Sequence, residues 1–521
     1  MIWISCAACM GLVAFLSWRM TRGHVGDASG FFLAGRSLGG LLIGGSLLLT
    51  NISAEQIVGL AGSAYAFNLS SMAWEVVAVV AIMIMALVLL PRYLADGFTT
   101  LPEYLGNRFS PAVRQATVVL FLLGYALVTI PSVLYSGTIA VIQSFVGQIE
   151  GSWAFAGTMV VIGLIGLAYS ALGGLRAIAI SDTLNGAGLV FFGFLIPILG
   201  LMHLGDGSAL EGWRVIVSAH PEKFNAIGGP SDPTPFVTLF TGMIFSNLAY
   251  WGTNQYVIQR SLAAQSLAAG QRGVLLAGFF KLLIPFFVML PGVIAFHLYG
   301  DSLGSMDHAY PRLVADVLPG FLTGAFLAVL LGAVFSSFNS LLQSAATLIT
   351  YDVWEPLVQR RGGSLSDADR VRVGRIACVV ITLVGFVVAP LLQLAPEGLW
   401  QLIRKFTGFY NIPIIAIVLA AMFLPRARSA VAFGVVLFHV PAYALVTFFV
   451  DTGIHFIHWY AMLFLVEFAA LALLRGDVAV EPRRAGSVDL TPWRWRWPMV
   501  VGLSVCIVLL YWLLSPLGIA A

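Results

Sequence analysis

Asn51-Ile52-Ser53-Ala54-Glu55-Gln56 interrupts an apolar run near the N-terminus, and Gly59, Gly62 and Ser63 follow closely. Leu41 to Thr50 on one side and Ile57 to Phe67 on the other are together long enough to cross a bilayer. An ionised side chain at the centre of such a span costs roughly 2.5–3.5 kcal/mol on insertion scales. Polar groups persist there only where they face protein or a water-filled cavity. The stretch therefore predicts a broken membrane helix, with carbonyls freed for a cation and side chains turned toward a solute.

The rest of the chain agrees. It is 59% hydrophobic and only 10% charged over 521 residues, so no soluble domain has room. A net charge of +3 is too small to argue for a nucleic-acid partner. Cys6, Cys9, Cys378 and Cys506 all lie in apolar stretches, so the Cys6/Cys9 CxxC reads as packing and not as a redox or zinc pair. About fourteen runs of 18–25 apolar residues are countable. Their centres are near Met10, Leu48, Ile82, Leu127, Gly163, Phe192, Ile244, Phe287, Leu331, Thr382, Ile414, Leu437, Phe464 and Val505. The first has no cleavage site and reads as a retained helix.

Arginines fall in alternate loops: Arg19 and Arg22, then Arg92, Arg108 and Arg114, then Arg176, then Arg260 and Arg272, and onward to Arg494 and Arg496. Gly205 to Pro235 and Tyr299 to Gly320 carry little positive charge. The bias places alternate loops in the cytoplasm and both termini outside. A second interruption is expected at Ser246-Asn247-Leu248-Ala249-Tyr250-Trp251-Gly252, five spans after the first and hence of opposite orientation. That spacing predicts two five-helix halves related by an inverted repeat, with the site between them.

Several stretches resemble the sodium:solute symporter family, in its sodium/glucose cotransporter-like branch. They are Phe31 to Arg36 leading into Asn51 to Gly62, Tyr169 to Arg176 (YSALGGLR), Asn247 to Arg260 (NLAYWGTNQYVIQR), Lys281 to Gly292 (KLLIPFFVMLPG) and Ser336-Ser337-Phe338-Asn339-Ser340. The resemblance implies an all-α polytopic membrane protein with a LeuT-like five-plus-five inverted repeat. On that frame residues 1–22 form a leading helix, 38–203 and 233–425 the two repeats, and 429–521 three trailing helices. It also implies a plasma-membrane location, the bacterial inner membrane, and a monomer or loose homo-oligomer embedded in lipid.

The family's main sodium site, carried to matching positions, comprises the carbonyls of Leu49, Ile52 and Ala333 and the hydroxyls of Ser336 and Ser337. Hard cations take such oxygens. Alternatively, the two serines bond back to their own helix. Asp182 matches an acid that lines the family's sodium exit route. With Ser340, and with Asn339 where serine is found in two-sodium members, it stands for a second sodium. The other reading is that Asp182 pairs with Arg176 or caps a helix.

The family's sugar ligands map onto Gln56, Glu75, Asn247 and Lys281, and its gates onto Leu60, Trp74, Trp400 and Tyr250. Ala78 takes the place of a serine. Interhelical hydrogen bonding is the plainer account of the polar set. The departure is Arg404, where the family has a glutamine. A guanidinium fork suits a carboxylate or sulfate, so an anionic sugar is one reading; pairing of Arg404 with Glu75, or snorkelling, is the other.

The resemblance thus implies sodium-coupled import of a sugar or sugar-derived solute by alternating access, with Na+ as the coupling ion. A non-transporting solute sensor is the alternative. No nucleophile, metal cluster or phosphate loop suggests an enzyme. Glu467 and His439 read as packing residues of the trailing helices, His455 and His458 lack ligand partners, and Trp493 to Trp497 reads as an interfacial belt.

Overall fold

The computed structural model describes residues 2–21, 28–142, 152–394, 399–476 and 486–520. Arg22, Arg483 and Arg484 lie outside the described residues. Among those described, twelve helices are long and apolar enough to cross a membrane, and a bent pair makes a thirteenth span. No strand occurs among the described residues, only isolated bridges.

α1 (Ile2–Thr21) is followed by the bent pair α2 (Gly40–Asn51) and α3 (Ala54–Ala66), whose axes differ by 56°. The break is Ile52-Ser53, both out of helical geometry, with Ser53 extended at ψ 175°. Because a helix leaves its last four carbonyls unbonded, the break exposes oxygen at mid-span. α4 (Ala73–Ile84) carries Glu75 in its first turn.

α5 (Ser152–Leu204) is two spans joined at Gly174, where φ is +61° and ψ −179°. Only glycine adopts that conformation without strain, and a Cβ there would stand 3.1 Å from the Phe31 carbonyl oxygen. Where a loop was expected at Arg176 there is a sharp kink, and the Arg176 guanidinium donates to the Ser37 hydroxyl at 2.9 Å.

The second interruption is displaced from its expected place. α6 (Gly242–Thr253) runs unbroken through Ser246 to Gly252, and the helix ends at Asn254 before α7 (Gln255–Leu262). Asn254 is held in extended geometry, its amide oxygen accepting from the Tyr125 hydroxyl at 2.5 Å. The small residues of 246–252 serve packing instead of a break. Among the described residues the count is thus twelve or thirteen against the fourteen expected, because α6 and α7 are short helices that do not make a further apolar span.

α8 (Leu267–Lys281), α9 (Gly320–Leu348) and α10 (Asp367–Val388) follow, then α11 (Leu399–Phe423), which carries Arg404. α12 (Ser429–Ala444), α13 (Phe456–Leu473) and α14 (Arg496–Leu513) close the chain. α2 packs against α5 and α8, and α9 packs against α1 and α5. α12 and α13 brace α11: His439 Nδ1 and Glu467 Oε1 are 2.6 Å apart, and His439 Nε2 lies 3.1 Å from the Gly408 carbonyl oxygen. Tyr443 and Tyr460 donate to the carbonyls of Lys405 and Arg404. His439 and Glu467 are packing residues, as expected.

Candidate functional site

At the α2–α3 break two clusters meet. On the α9 side, the Ser337 hydroxyl donates to the Thr50 carbonyl at 3.0 Å. Thr50 Oγ1 lies 3.4 Å from both Ser336 Oγ and Ser340 Oγ. Ser337 therefore bonds across to the broken helix, whereas Ser340 bonds back to the Ser336 carbonyl. Leu49, Ile52, Ala333, Ser336 and Ser337 are all buried, and the Ser53 hydroxyl is buried without a partner. Neutral hydroxyls beside the carbonyls of a helix break are the donor type that a hard monovalent cation such as Na+ takes. Thr50 belongs to this group and was missed in the sequence, although its hydroxyl lies beside the conspicuous Asn51.

Below this cluster lies a buried ion pair. Asp182 Oδ2 accepts from the Ser46 hydroxyl at 2.6 Å and lies 3.4 Å from Arg260 Nη2. Arg260 Nε donates to Ser46 Oγ at 2.6 Å, Nη1 to the Tyr256 carbonyl at 2.5 Å, and Nη2 also to the Ser340 hydroxyl. Two expectations change. Arg260 is not a loop arginine; it is 1% exposed. Asp182 pairs with it, and neither pairs with Arg176 nor caps a helix, since it lies well inside α5. The second-sodium set of Asp182, Ser340 and Asn339 does not fit a cation in this arrangement: the guanidinium already satisfies Asp182 and Ser340, and only the Asn339 amide oxygen is unpartnered.

On the other face of the break is a cavity of about 50 Å³ lined by Gln56, Glu75, Ala78, Asn247, Tyr250, Lys281, Trp74, Trp400 and Arg404, among others. It has room for a water or two and is closed around its polar groups. Gln56 Nε2 donates to Glu75 Oε1 at 2.5 Å, and Lys281 donates to Glu75 Oε2. Asn247 donates to the Met243 carbonyl on its own helix at 3.1 Å, and Asn51 donates to the Tyr250 hydroxyl at 2.9 Å. Leu60 is buried but is not among the lining residues. Gly59 lets α3 approach α11, since a Cβ there would stand 3.1 Å from Trp400 Cβ.

Arg404 does not pair with Glu75. Its guanidinium lies over the rings of Trp400, at 4.0 Å, and Trp74, at 4.6 Å. Its Nε–H is buried without a partner, and no carboxylate among the described residues lies within 4.0 Å of it. Beside Trp400 and Arg404, their neighbours Gln401 and Lys405 line a wide vestibule of about 850 Å³.

The model of the sodium:solute symporter family matches residues 31–438. The chain belongs to that family. It is 39% identical over 500 residues to the uncharacterised symporter YidK of Escherichia coli, covering 93% of this chain and 86% of that one. It is 32% identical over 497 residues to the sodium/glucose cotransporter of Vibrio parahaemolyticus, covering 90% and 89%. A Na+-coupled sialic acid symporter, solved in a substrate-bound outward-open state, superposes with a TM-score of 0.76 at 19% identity, covering 91% of this chain and 96% of that one. The fold is LeuT-like and the chain is a multi-pass membrane transporter, not an enzyme, that couples solute symport to Na+.

Proposed function

We propose that this chain imports a sugar or sugar-derived solute, bound in the cavity lined by Gln56, Glu75, Asn247 and Lys281. The observation that carries this reading is the Gln56–Glu75–Lys281 chain, which presents amide, carboxylate and ammonium groups to one cavity. Sugars, with adjacent hydroxyls that both donate and accept, are matched by such mixed sets. Tyr250 beneath and Trp74 and Trp400 on the vestibule side supply the aromatic faces, as gates. The glucose named for the Vibrio relative supports the same class.

In this reading Na+ is held by the carbonyls of Leu49, Ile52 and Ala333 and the hydroxyls of Ser336 and Ser337. Its role is to supply charge that draws α2 and α9 together. Ser337 and Thr50 already bridge those helices, so the ion site and the solute cavity share one element, the α2–α3 break. Such sharing couples their occupancies. Asp182 and Arg260 close the route below. Residues 38–203 and 233–425 are the two repeats of the working machine, flanked by 1–22 and 429–521. Loops bearing Arg92, Arg108, Arg114 and Arg272 face the cytoplasm and both termini face outward, in the bacterial inner membrane. Arg260 drops out of that charge count, but the remaining arginines keep the same bias.

Purified protein in proteoliposomes, given labelled neutral hexoses, uronates and sulfated sugars with and without an inward Na+ gradient, tests the proposal. Gradient-dependent accumulation is expected. Specific solute binding that never becomes Na+-driven accumulation would instead make the protein a sensor.

A further inference from the structure

Resting on that reading, we propose that the solute is a monoanion, a sugar bearing one carboxylate or sulfate ester, with its charged group on Arg404. Glu75 takes its hydrogen bonds from Gln56 and Lys281, so the cavity's other base is committed. The Arg404 guanidinium carbon lies over two indole rings, and at its N–H edge Nε is buried without a partner. Cation–π contact satisfies charge in part but accepts no N–H hydrogen bond along that edge. The buried, unpartnered Nε–H is the direct sign of this. A carboxylate or a sulfate ester presents two oxygens to such a fork and takes two parallel bonds, which a hydroxyl cannot.

The formal charges of the core point the same way. Four charged side chains line the cavity: Glu55 and Glu75, Lys281 and Arg404. Glu55 makes no ion pair among the described residues, and one of its carboxylate oxygens is buried without a partner. These two acids and two bases cancel. Asp182 and Arg260 cancel in the layer beneath. One Na+ at the α2–α9 site would leave a single uncompensated positive charge in a low-dielectric interior, and burying a lone charge is costly. A monoanion on Arg404 restores neutrality. A second Na+ has no place, because Arg260 already serves Asp182 and Ser340. The loaded core therefore carries one Na+ and one anion, and its net crossing moves no charge.

The test uses the full-length protein in proteoliposomes with the membrane potential clamped by a potassium gradient and ionophore. The probes are D-galacturonate, D-galactose 6-sulfate and neutral D-galactose. Expected is Na+-driven uptake of one or both anions that does not change with membrane potential, with galactose taken up at least about tenfold less well, the discrimination one charge-assisted hydrogen bond supplies. The carboxylate and sulfate arms show which oxyanion fits. Arg404→Gln is expected to remove anion uptake, while Arg404→Lys retains part of it. Should Arg404→Gln fail to fold, shown by its tryptophan emission, the wild-type response to potential still decides. Na+-driven galactose uptake that accelerates with inside-negative potential, or anion uptake that depends on potential, overturns this inference and leaves the proposed function standing. No Na+-dependent uptake of any of the three overturns the proposed function itself.

Discussion

The core holds two buried acid–base layers that are built differently. Under the candidate ion site, Arg260 spends its guanidinium on Asp182, Ser46, Ser340 and the Tyr256 carbonyl, joining α5, α2, α9 and α7. In the solute cavity, Lys281 and Gln56 donate to Glu75, and Arg404 lies over two indole rings, sharing the cavity with Glu55 and Glu75 but paired with neither acid. The first layer is closed on itself and reads as a lock. The second has charges that balance but leaves the Arg404 Nε–H without an acceptor, and an unspent donor is what a ligand site requires.

Arg260→Ala is the substitution with the largest expected effect. Removing one partner of a buried pair leaves an uncompensated charge and costs about 3–5 kcal/mol. The variant should show a strongly lowered thermal midpoint in detergent, followed by tryptophan fluorescence. The double variant Asp182→Asn/Arg260→Gln should recover most of that loss, since two neutral amides can hydrogen-bond. An Arg260→Ala protein as stable as the parent would mean the lower layer is not a lock.

Ser337→Ala comes next and probes how the two layers are linked. It deletes the hydroxyl that crosses from α9 to the Thr50 carbonyl and one proposed Na+ ligand, with little change in volume. Na+-driven accumulation should fall at least about tenfold, and the thermal stabilisation by NaCl over KCl should shrink with it. Unchanged Na+ stabilisation would move the ion site elsewhere.

How much of this was legible in the sequence depended on whether local composition or long-range packing decided the outcome. The break at Ile52-Ser53 was readable, because an apolar membrane run tolerates clustered polar residues only where they turn toward protein or a cavity. Asn254 was not: its extended geometry is fixed by Tyr125, a residue on a distant helix, and the more conspicuous small residues of 246–252 drew the expectation upstream. Arg260 was misread for the same kind of reason. A basic residue near a helix end looks like a loop charge, and only the fold shows Asp182 beside it. Arg404 stood out as a departure, but its two-tryptophan clasp needed α4 and α11 to be brought together. Gln56, Glu75 and Lys281 met as the family resemblance implied, whereas Asn247 lines the cavity yet bonds to its own helix.

Gln56→Ala tests the upper layer more gently. It removes one donor to Glu75 but leaves Lys281 in place, so the protein should fold with a small loss of stability. Loss of a neutral hydrogen bond to a solute hydroxyl is worth about 0.5–1.5 kcal/mol, which corresponds to a roughly 2–10-fold higher half-saturation for the solute if Gln56 also contacts it. Solute titrations at fixed Na+ would measure this. An unaltered half-saturation would return Gln56 to interhelical packing.

Asp307 offers the smallest and most selective test of the rule that an uncommitted, half-buried acid has a consequence. It lies in the 3₁₀ turn Met306–His308 outside the membrane spans, and that turn packs on α3 at Gly62, where a Cβ would stand 2.8 Å from the Met306 carbonyl oxygen. No cation among the described residues pairs with it, and burial alone pushes its carboxyl up from 3.8 to about 6. The folded state thus holds this proton more tightly than the unfolded chain does. The stabilisation is fully present below about 3.8 and is lost as pH rises through about 6. His455, pushed down to about 4 by burial and by His458 and Lys405, works in the opposite sense, because its contribution is lost as pH falls. Asp307→Asn removes only the first effect. The variant should match the parent near pH 4 and exceed it in thermal midpoint at pH 7, by on the order of 1 kcal/mol for a partly solvated group. A midpoint difference independent of pH would assign Asp307 a packing role and confine the rule to the charges of the solute cavity.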